Sequence, residues 1–225
     1  MPGKLIEFPA NGHTTTGWLS VPPSGQGPGL LVLQEWWGLV DHIKDVTDRF
    51  AAAGFVALAP DLYHGESTKS PDEAGRKLMA LDIARAGQDL RGAADHLLSL
   101  DAVSPKQVGA LGFCMGGQLA LHAATAHDQI SACVDFYGIH PNVQPDFTRL
   151  RGPVLAHFGN DDGFVSPASA RELVGKIQAA GGDVEAHFYA AGHAFFNDAR
   201  PEAYSAEAAP VAWERTLAFL RKHLS

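Results

Sequence analysis

The sequence predicts an α/β fold in which helices cover both faces of a mostly parallel sheet. Short apolar runs typical of buried strands alternate with helical patterns along nearly the whole chain, and this alternation is typical of parallel strands joined by helical crossovers. The chain has 225 residues, of which 46% are hydrophobic, and a single α/β domain commonly reaches this size. We therefore expect residues 1–225 to form one domain.

The first half of the chain predicts an edge hairpin followed by central strands and helices. Lys4–Phe8 and Thr14–Val21 alternate apolar and polar residues around Asn11-Gly12, a dipeptide that favours a hairpin turn, so we expect an antiparallel edge to the sheet. The strands predicted next are Leu30–Gln34 and Phe55–Ala59, and the helices are Asp41–Ala53, with Asp41 as its cap, and one or two within Pro71–Leu100.

The second half continues the same alternation. The predicted strands are Val108–Phe113, Ile130–Tyr137, Pro153–Phe158 and Val184–Tyr189, and the predicted helices are Gln118–Ala126, Pro167–Ala180 and a closing helix with Pro210 at its first turn or at a kink. The connection from Gly138 to Arg151 is too short for a large lid domain. We therefore expect an open pocket beyond the carboxyl ends of the strands, where such sheets bind ligands.

Cys114 occupies the junction between a predicted strand and a predicted helix. The surrounding Gly112-Phe113-Cys114-Met115-Gly116 matches the G-x-S-x-G nucleophile elbow, with sulfur in place of the hydroxyl oxygen. The tight turn requires neighbours without side chains, and the helix N-terminus favours a thiolate. The alternative is that Cys114 is only a small buried apolar residue.

A thiol nucleophile needs a base and an acid that orients the base. His193 directly follows the last strand, with Gly192 allowing a sharp turn out of the sheet, and the loop Gly159–Val165 offers Asp161 or Asp162 as the acid. Asp135 is a weaker candidate because it lies within an apolar strand. The order cysteine, aspartate, histidine is that of the α/β-hydrolase fold, which we therefore predict.

The oxyanion formed when sulfur attacks a carbonyl requires two backbone amides. One is expected from Met115, the residue after the nucleophile, and the other from Trp36, in the loop after the third strand. Glu35 ends that strand, so its carboxylate is either buried in a hydrogen-bonded pair or placed for chemistry as a second proton acceptor.

Six motifs taken together resemble the dienelactone hydrolase family over nearly the whole chain. They are Gln34-Glu35-Trp36-Trp37-Gly38, Pro60-Asp61-Leu62-Tyr63, Gly112 to Gly117, Tyr137-Gly138, Gly159 to Val165, and Gly192-His193-Ala194-Phe195 followed by a Glu214-Arg215-Thr216 helix. The resemblance implies an α/β-hydrolase that opens lactones or cleaves small esters without a metal or organic cofactor.

The resemblance also implies roles for individual residues. Cys114 would be the nucleophile, His193 the base and Glu35 the carboxylate that contacts the resting cysteine, and the family's G-x-x-D-x-x-V spacing selects Asp162 as the orienting acid. The family's type enzyme holds a substrate carboxylate with arginines, one of them four residues after the histidine. Asn197 stands at that position here, Arg200 is out of register, and Pro71 to Arg91 contains no clear equivalent of the other arginine.

We accordingly predict hydrolysis of a small lactone or ester through a thioester on Cys114. The alternatives are a general carboxylesterase without lactone preference and a non-catalytic ligand-binding relative; a metal site at His140 and His157 is a weaker idea because their spacing fits no known ligand pattern. The residues expected to wall the pocket are aromatic or imidazole side chains: Trp36, Trp37, Tyr63, His64, Tyr137, His140, Phe195 and Phe196.

Charge and cysteine content exclude several other classes. The net charge is −8 and no run of lysine or arginine occurs, so we expect no nucleic-acid or membrane partner. Two cysteines, Cys114 and Cys133, cannot form a disulfide framework, and Cys133 is expected in the core. With no signal-peptide pattern at the N-terminus, we expect a cytoplasmic protein. For its oligomeric state, a monomer is the simplest expectation.

Overall fold

A computed structural model describes residues 2–10 and 12–224. The strands are β1 (Lys4–Ala10), β2 (His13–Ser20), β3 (Gly27–Leu33), β4 (Val56–Pro60), β5 (Val103–Phe113), β6 (Ile130–Phe136), β7 (Val154–Gly159) and β8 (Val184–Tyr189). The helices are α1 (Asp41–Ala52), α2 (Pro71–Ala80), α3 (Ile83–Ser99), α4 (Met115–Ala126), α5 (Pro167–Ala179) and α6 (Ala208–His223), with a short 3-10 turn at Phe147–Arg149.

The eight strands form one sheet in the order β1-β2-β4-β3-β5-β6-β7-β8. β1 pairs with β2 and β2 with β4 in antiparallel fashion, whereas every pairing from β4 to β8 is parallel. The predicted mostly parallel sheet with an antiparallel edge is therefore confirmed. Because six parallel strands end at the same edge, the loops after β3, β5, β7 and β8 meet there.

Helices cover both faces of this sheet, as the sequence predicts. Side chains of β3 alternate between the faces: Leu30 and Val32 pack in the core that contains residues of α1 and α6, and Leu31 and Leu33 in the core that contains residues of α3 and α4. The α/β-hydrolase fold is confirmed, and no large additional domain interrupts the described residues.

The main differences from the predicted elements lie at their ends. β5 begins at Val103, five residues before the predicted start, and α4 begins at Met115 rather than Gln118. Asp41 does not cap α1: Val40 occupies the cap position, and the Asp41 carboxylate instead accepts a hydrogen bond from Lys44 at 3.1 Å. Pro210 lies in the first turn of α6, where its missing N–H costs nothing.

Of the predicted turn at Asn11-Gly12, the structure describes Gly12, and Asn11 lies outside the described residues. Gly12 has a φ of 89°, the left-handed conformation that a hairpin turn requires of glycine. Within the described chain, no helix is long and apolar enough to cross a membrane.

Candidate active site

Cys114 lies at the turn between β5 and α4 in a strained backbone conformation. Its φ of 53° and ψ of −117° fall outside the regions that residues with side chains normally adopt. A Cβ on Gly112 would overlap the Gly116 carbonyl, and a Cβ on Gly116 would overlap the Leu33 carbonyl. Only glycine therefore allows the strand, the helix and β3 to approach closely enough to hold the cysteine in this turn.

The buried carboxyl of Asp135 packs against the segment that follows the elbow. Asp135 on β6 is fully buried, and neither of its oxygens has a hydrogen-bond partner within residues 2–10 and 12–224. A Cβ on Gly117 or on Gly138 would overlap its Oδ1, so the carboxyl fills the space between these two backbones. Burial raises the pKa of Asp135 to about 7, and the backbone amide of Gly138 acts in the opposite direction.

His193 and Asp162 form a hydrogen-bonded pair at the edge where the strands end. His193 Nδ1 lies 2.8 Å from Asp162 Oδ2, and the other oxygen, Oδ1, accepts hydrogen bonds from the amides of Phe164 at 2.7 Å and Val165 at 2.8 Å. Asp162 is therefore held on both oxygens. Asp161 is exposed, and its backbone amide bonds to the Ala191 carbonyl at 3.0 Å. Of the three candidate acids, the structure brings Asp162 to His193.

The loop that carries His193 turns sharply, but not at the residue the sequence indicates. The left-handed conformation falls on Ala194, with a φ of 59°, rather than on Gly192. Gly159 in the aspartate loop has the more restrictive role, since a Cβ there would overlap the Ala191 carbonyl. The imidazole packs against the rings of Phe164 and Tyr137, at centroid distances of 4.9 and 5.0 Å.

The second nitrogen of His193 is available for proton transfer. Nε2 is buried and has no hydrogen-bond partner among the described residues, whereas Nδ1 is engaged by Asp162. If Nδ1 is protonated and donates the hydrogen bond to Asp162, Nε2 carries no proton and is the basic nitrogen.

Glu35 is buried at the end of β3 and held by one neighbour. Its side chain accepts a hydrogen bond on Oε2 from Asn197 Nδ2 at 2.7 Å, and Oε1 has no partner in the described chain. Burial raises the pKa of Glu35, while the Asn197 bond and the charges of His193 and Arg200 act in the opposite direction. The implied contact with the resting cysteine is thus not a hydrogen bond here.

Burial and negative charge both act on the Cys114 thiol. Burial raises its pKa most, the Glu35 carboxylate raises it further, and the Met115 amide lowers it. The structure therefore favours a neutral thiol at rest, contrary to the thiolate that the helix N-terminus alone predicts.

The two predicted oxyanion donors lie on either side of the cysteine. Met115 is the first residue of α4, so its amide precedes the helical hydrogen bonds. Trp36 follows β3 and lines the same cavity as Cys114, and its amide makes no backbone hydrogen bond within the described residues.

Cys114, His193, Glu35 and Trp36 share one cavity of about 360 Å³, whereas Met115 is not among the residues that line it. Its lining includes the expected Glu35, Trp36, Trp37, Cys114 and His193, together with Pro71, Leu78, Ile139, Pro141, Phe164, Ala194, Arg200 and Ala203. Asp162 is absent from the lining because it lies behind His193.

Six of the predicted wall residues do not line this cavity. Three of them, Tyr137, Phe195 and Phe196, belong to the buried core behind it, at 0 to 2% exposure. Tyr63 donates its hydroxyl to the Met115 sulfur at 3.3 Å, His64 pairs with Asp89 at 3.3 Å, and His140 bonds to the Leu78 carbonyl at 3.0 Å. The sequence marks these residues as aromatic or imidazole, but it does not show which way each ring faces.

Eight lining residues are not among those that the sequence predicts, and two of these, Phe164 and Arg200, bear most on the site. Phe164 is 62% exposed at the mouth of the cavity, and its place two residues after Asp162 in the acid loop is the signal that locates it. Arg200 lines the cavity although it stands three residues beyond the position where the resemblance places an arginine. Asn197, at that position, is committed to Glu35.

The histidines considered for a metal have other partners. His157 is fully buried between the Tyr189 hydroxyl at 2.8 Å and the Thr216 hydroxyl at 3.0 Å. His140 instead bonds to the Leu78 carbonyl, so the two imidazoles share no partner. In the part of the chain that the structure describes, no group of three or more histidine, cysteine or acidic residues is arranged to hold a metal ion.

Comparisons with known proteins identify the family. The family profile described as the dienelactone hydrolase family matches residues 16–224. Protein usf of Aquifex pyrophilus is 36% identical over 99% of this chain and 100% of its own length. The carboxymethylenebutenolidase of Pseudomonas sp. (strain P51) is 34% identical, over 91% of this chain and 88% of its own. The solved structure named m3DLH superposes with a TM-score of 0.89 at 28% identity, with both chains fully covered.

A profile match over nearly the whole chain, together with relatives above 30% identity along almost their full length, identifies the family. The chain belongs to the dienelactone hydrolase family and is a hydrolase of the ester and lactone type.

Proposed function

We propose that the protein hydrolyses small esters or lactones with Cys114 as nucleophile, His193 as base, Asp162 as the orienting acid and a thioester as intermediate. One observation carries the proposal: His193, which is paired with Asp162 and has an Nε2 unpartnered in the described chain, lines the same cavity as a cysteine held in a strained elbow. A structural cysteine would need neither the strain nor the pair.

The first step transfers a proton and forms a bond. The Cys114 thiol gives its proton to His193 Nε2, and the sulfur attacks the carbonyl carbon of the substrate. Because the resting thiol is neutral, this transfer accompanies substrate binding rather than preceding it. Asp162 stabilises the imidazolium that forms.

The second step expels the alcohol. The tetrahedral oxyanion accepts hydrogen bonds from the amides of Met115 and Trp36, and its collapse breaks the carbon–oxygen bond of the ester. His193 returns the proton to the leaving oxygen. In a lactone the leaving oxygen stays attached to the acyl group, so the ring opens on the enzyme.

Hydrolysis of the thioester completes the cycle. Water gives a proton to His193 Nε2 and attacks the thioester carbon, the carbon–sulfur bond breaks, and Cys114 recovers its proton. Alkoxides are poorer leaving groups than thiolates, so activated esters and enol lactones suit a sulfur nucleophile better than unactivated esters do.

Glu35 has a separate role in this proposal. Its negative charge opposes the formation of a thiolate, and it keeps the resting cysteine protonated until a carbonyl is bound. Oε1 of Glu35 has no hydrogen-bond partner in the described chain, and we propose that this oxygen accepts the thiol proton in a minor alternative route once a carbonyl is bound.

The test compares the two buried cysteines. Purified wild type, Cys114→Ala and Cys133→Ala are assayed on a dienelactone by ultraviolet absorbance and on p-nitrophenyl acetate. We expect Cys114→Ala to lose about 10³-fold or more in kcat, whereas Cys133→Ala, in the core on the other face of the sheet, keeps activity close to wild type. Acid-quenched wild type should carry an acyl group on Cys114 by mass spectrometry, and equal rates for wild type and Cys114→Ala would exclude the nucleophile.

A general carboxylesterase is the second candidate. Asn197 stands where the resemblance places a carboxylate-binding arginine, and its amide is bonded to Glu35, which favours neutral esters over an anionic dienelactone. Turnover of the aryl ester without turnover of the lactone selects this candidate. We further propose that residues 1–225 act as one domain and as a monomer in the cytoplasm, where reducing conditions keep Cys114 a thiol.

A further inference from the structure

A second and larger cavity lies beside the one that contains Cys114. It measures about 700 Å³, against about 360 Å³ for the first. Three residues, Trp37, Pro71 and Arg200, line both cavities, so their side chains form the wall between the two.

Two of the three wall residues are fixed by their surroundings. Trp37 is 8% exposed and packs edge-on against Trp36 at a centroid distance of 5.0 Å. Pro71 is the first residue of α2, where the ring and the helix start hold its position. Neither can leave the wall without local unfolding.

Arg200 is the movable part of the wall. Its guanidinium lies over the Trp37 ring at 4.9 Å, and its Nε and Nη2 donate to Glu202 Oε1 at 2.9 and 2.8 Å. The side chains of Arg200 and Glu202 are 38% and 64% exposed, and ion pairs and cation–π contacts at such exposure are weak. The guanidinium can therefore swing into solvent at small cost.

Part of the wall of the second cavity is apolar. Leu39 and Val40 are half-buried and line it together with Trp37 and Pro71, whereas most of its other lining residues are polar or charged. An aliphatic chain that passes Arg200 would lie against the four apolar side chains.

We propose that Arg200 determines substrate size: in its stacked position it limits the Cys114 cavity to short acyl groups, and the second cavity is a subsite for the distal part of an aliphatic acyl chain. This inference rests on the proposed esterase function of Cys114. It assigns to Arg200 a wall function, distinct from the anion-binding role of the family's arginines.

The experiment measures kcat/KM for p-nitrophenyl acetate, butyrate and octanoate with wild type, Arg200→Ala, Glu202→Ala and Arg171→Ala. Arg171 is the matched control, because its guanidinium also stacks on an aromatic ring, Phe188, at 4.5 Å, away from both cavities. We expect the octanoate-to-acetate ratio to rise about tenfold or more in Arg200→Ala, less in Glu202→Ala, and not at all in Arg171→Ala.

Two results overturn the inference. In the first, the octanoate-to-acetate ratio of Arg200→Ala equals that of wild type, as it also does when all three esters lose rate equally. In the second, the mono-p-nitrophenyl ester of succinate, measured alongside the three esters, is the one substrate on which Arg200→Ala loses rate, which would make Arg200 an anchor for a carboxylate. If wild type hydrolyses p-nitrophenyl acetate, the proposed esterase function stands, and a negative result rejects only the role of Arg200. If wild type is no faster than Cys114→Ala on every ester, the esterase function and the role of Arg200 are both rejected.

Discussion

Asn197 donates a hydrogen bond to Glu35 across 2.7 Å, and both side chains are buried to 98%. This bond joins the loop after β8 to the end of β3, two segments separated by more than 160 positions in the chain. The residue at the position of the resembled family's substrate-binding arginine therefore serves the protein itself, because it satisfies a buried carboxylate in the cavity that contains Cys114.

Removal of this donor should destabilise the protein in a pH-dependent way. Asn197→Ala leaves Glu35 buried without a hydrogen bond in the described chain, which costs about 1–3 kcal/mol when the carboxylate is ionised. The pKa of Glu35, already raised by burial, rises further, so the folded state of the variant binds the proton more tightly. The loss in unfolding free energy should be largest at pH 8 and shrink toward pH 4.

Urea denaturation at both pH values measures this loss. The control is Asn142→Ala, since Asn142 is exposed. A deficit of equal size at both pH values would contradict the assignment to Glu35 ionisation.

The carboxylate of Asp162, rather than the loop around it, should control the base. Asp162→Asn keeps an oxygen that can accept from the Phe164 and Val165 amides but no longer stabilises an imidazolium on His193. We expect kcat/KM on an activated ester to fall about 10²–10⁴-fold without loss of folded structure by circular dichroism. Asp161→Asn, at the exposed neighbour, should retain nearly full activity, and equal losses in the two variants would refute the pairing.

Asp135 should make the protein less stable as the pH rises. Its pKa is about 7 in the folded state, above the ordinary value of 3.8, so folding binds protons between these pH values. The contribution of the protonated Asp135 carboxyl to the unfolding free energy of wild type is fully present below about pH 4 and is lost by about pH 7. Asp135→Asn removes this penalty and should gain up to about 4 kcal/mol relative to wild type between pH 4 and pH 8, because one pKa unit corresponds to about 1.4 kcal/mol.

Thermal or urea unfolding across that pH range provides the measurement. Asp101→Asn, the same substitution at an exposed aspartate, is the control. If Asp135→Asn were less stable than wild type by the same amount at pH 4 and pH 8, the buried carboxyl would instead be making an essential contact.

A single methyl group at the elbow should be far more harmful than one in open space. Gly116→Ala places its Cβ against the Leu33 carbonyl, and the backbone must shift, at a cost of about 1–3 kcal/mol and with displacement of Cys114. Gly175→Ala in α5 meets no atom within 4 Å and should stabilise the protein by about 0.5–1 kcal/mol through helix propensity. Melting temperature and esterase rate, measured on both variants, check the contrast; similar melting temperatures would contradict the steric argument.

The fold and the candidate site residues could be predicted from the sequence because each leaves a local pattern. Glycine spacing marks the elbow at Cys114, apolar runs mark the strands, and the order of Cys114 and His193 along the chain fits the observed sheet. The residues alone leave the choice between Asp161 and Asp162 open, and the spacing of the resembled family selects Asp162. The hydrogen bond between Asp162 and His193 joins two loops, and only the folded chain shows that contact.

The pocket walls were harder to predict for a physical reason. Tyr137, Phe195 and Phe196 are close to the reactive residues in sequence, but their rings fill the core behind the cavity. Leu78 on α2 and Ile139 after β6 line the cavity although nothing in their local sequence distinguishes them from core residues. Orientation depends on how helices pack on the sheet, and no short motif encodes it.

The elbow also joins the two halves of the interior. Cys114 packs in the core on the α1 and α6 face, and Met115, the next residue, packs in the core on the α3 and α4 face. The backbone that carries the Cys114 sulfur is thus anchored in the cores on both sides of the sheet. The effects of substitutions on the two faces are therefore expected to depend on each other through this one peptide unit. In a library that repacks both cores together, the fraction of active clones should be lower than the product of the fractions found when each core is repacked alone.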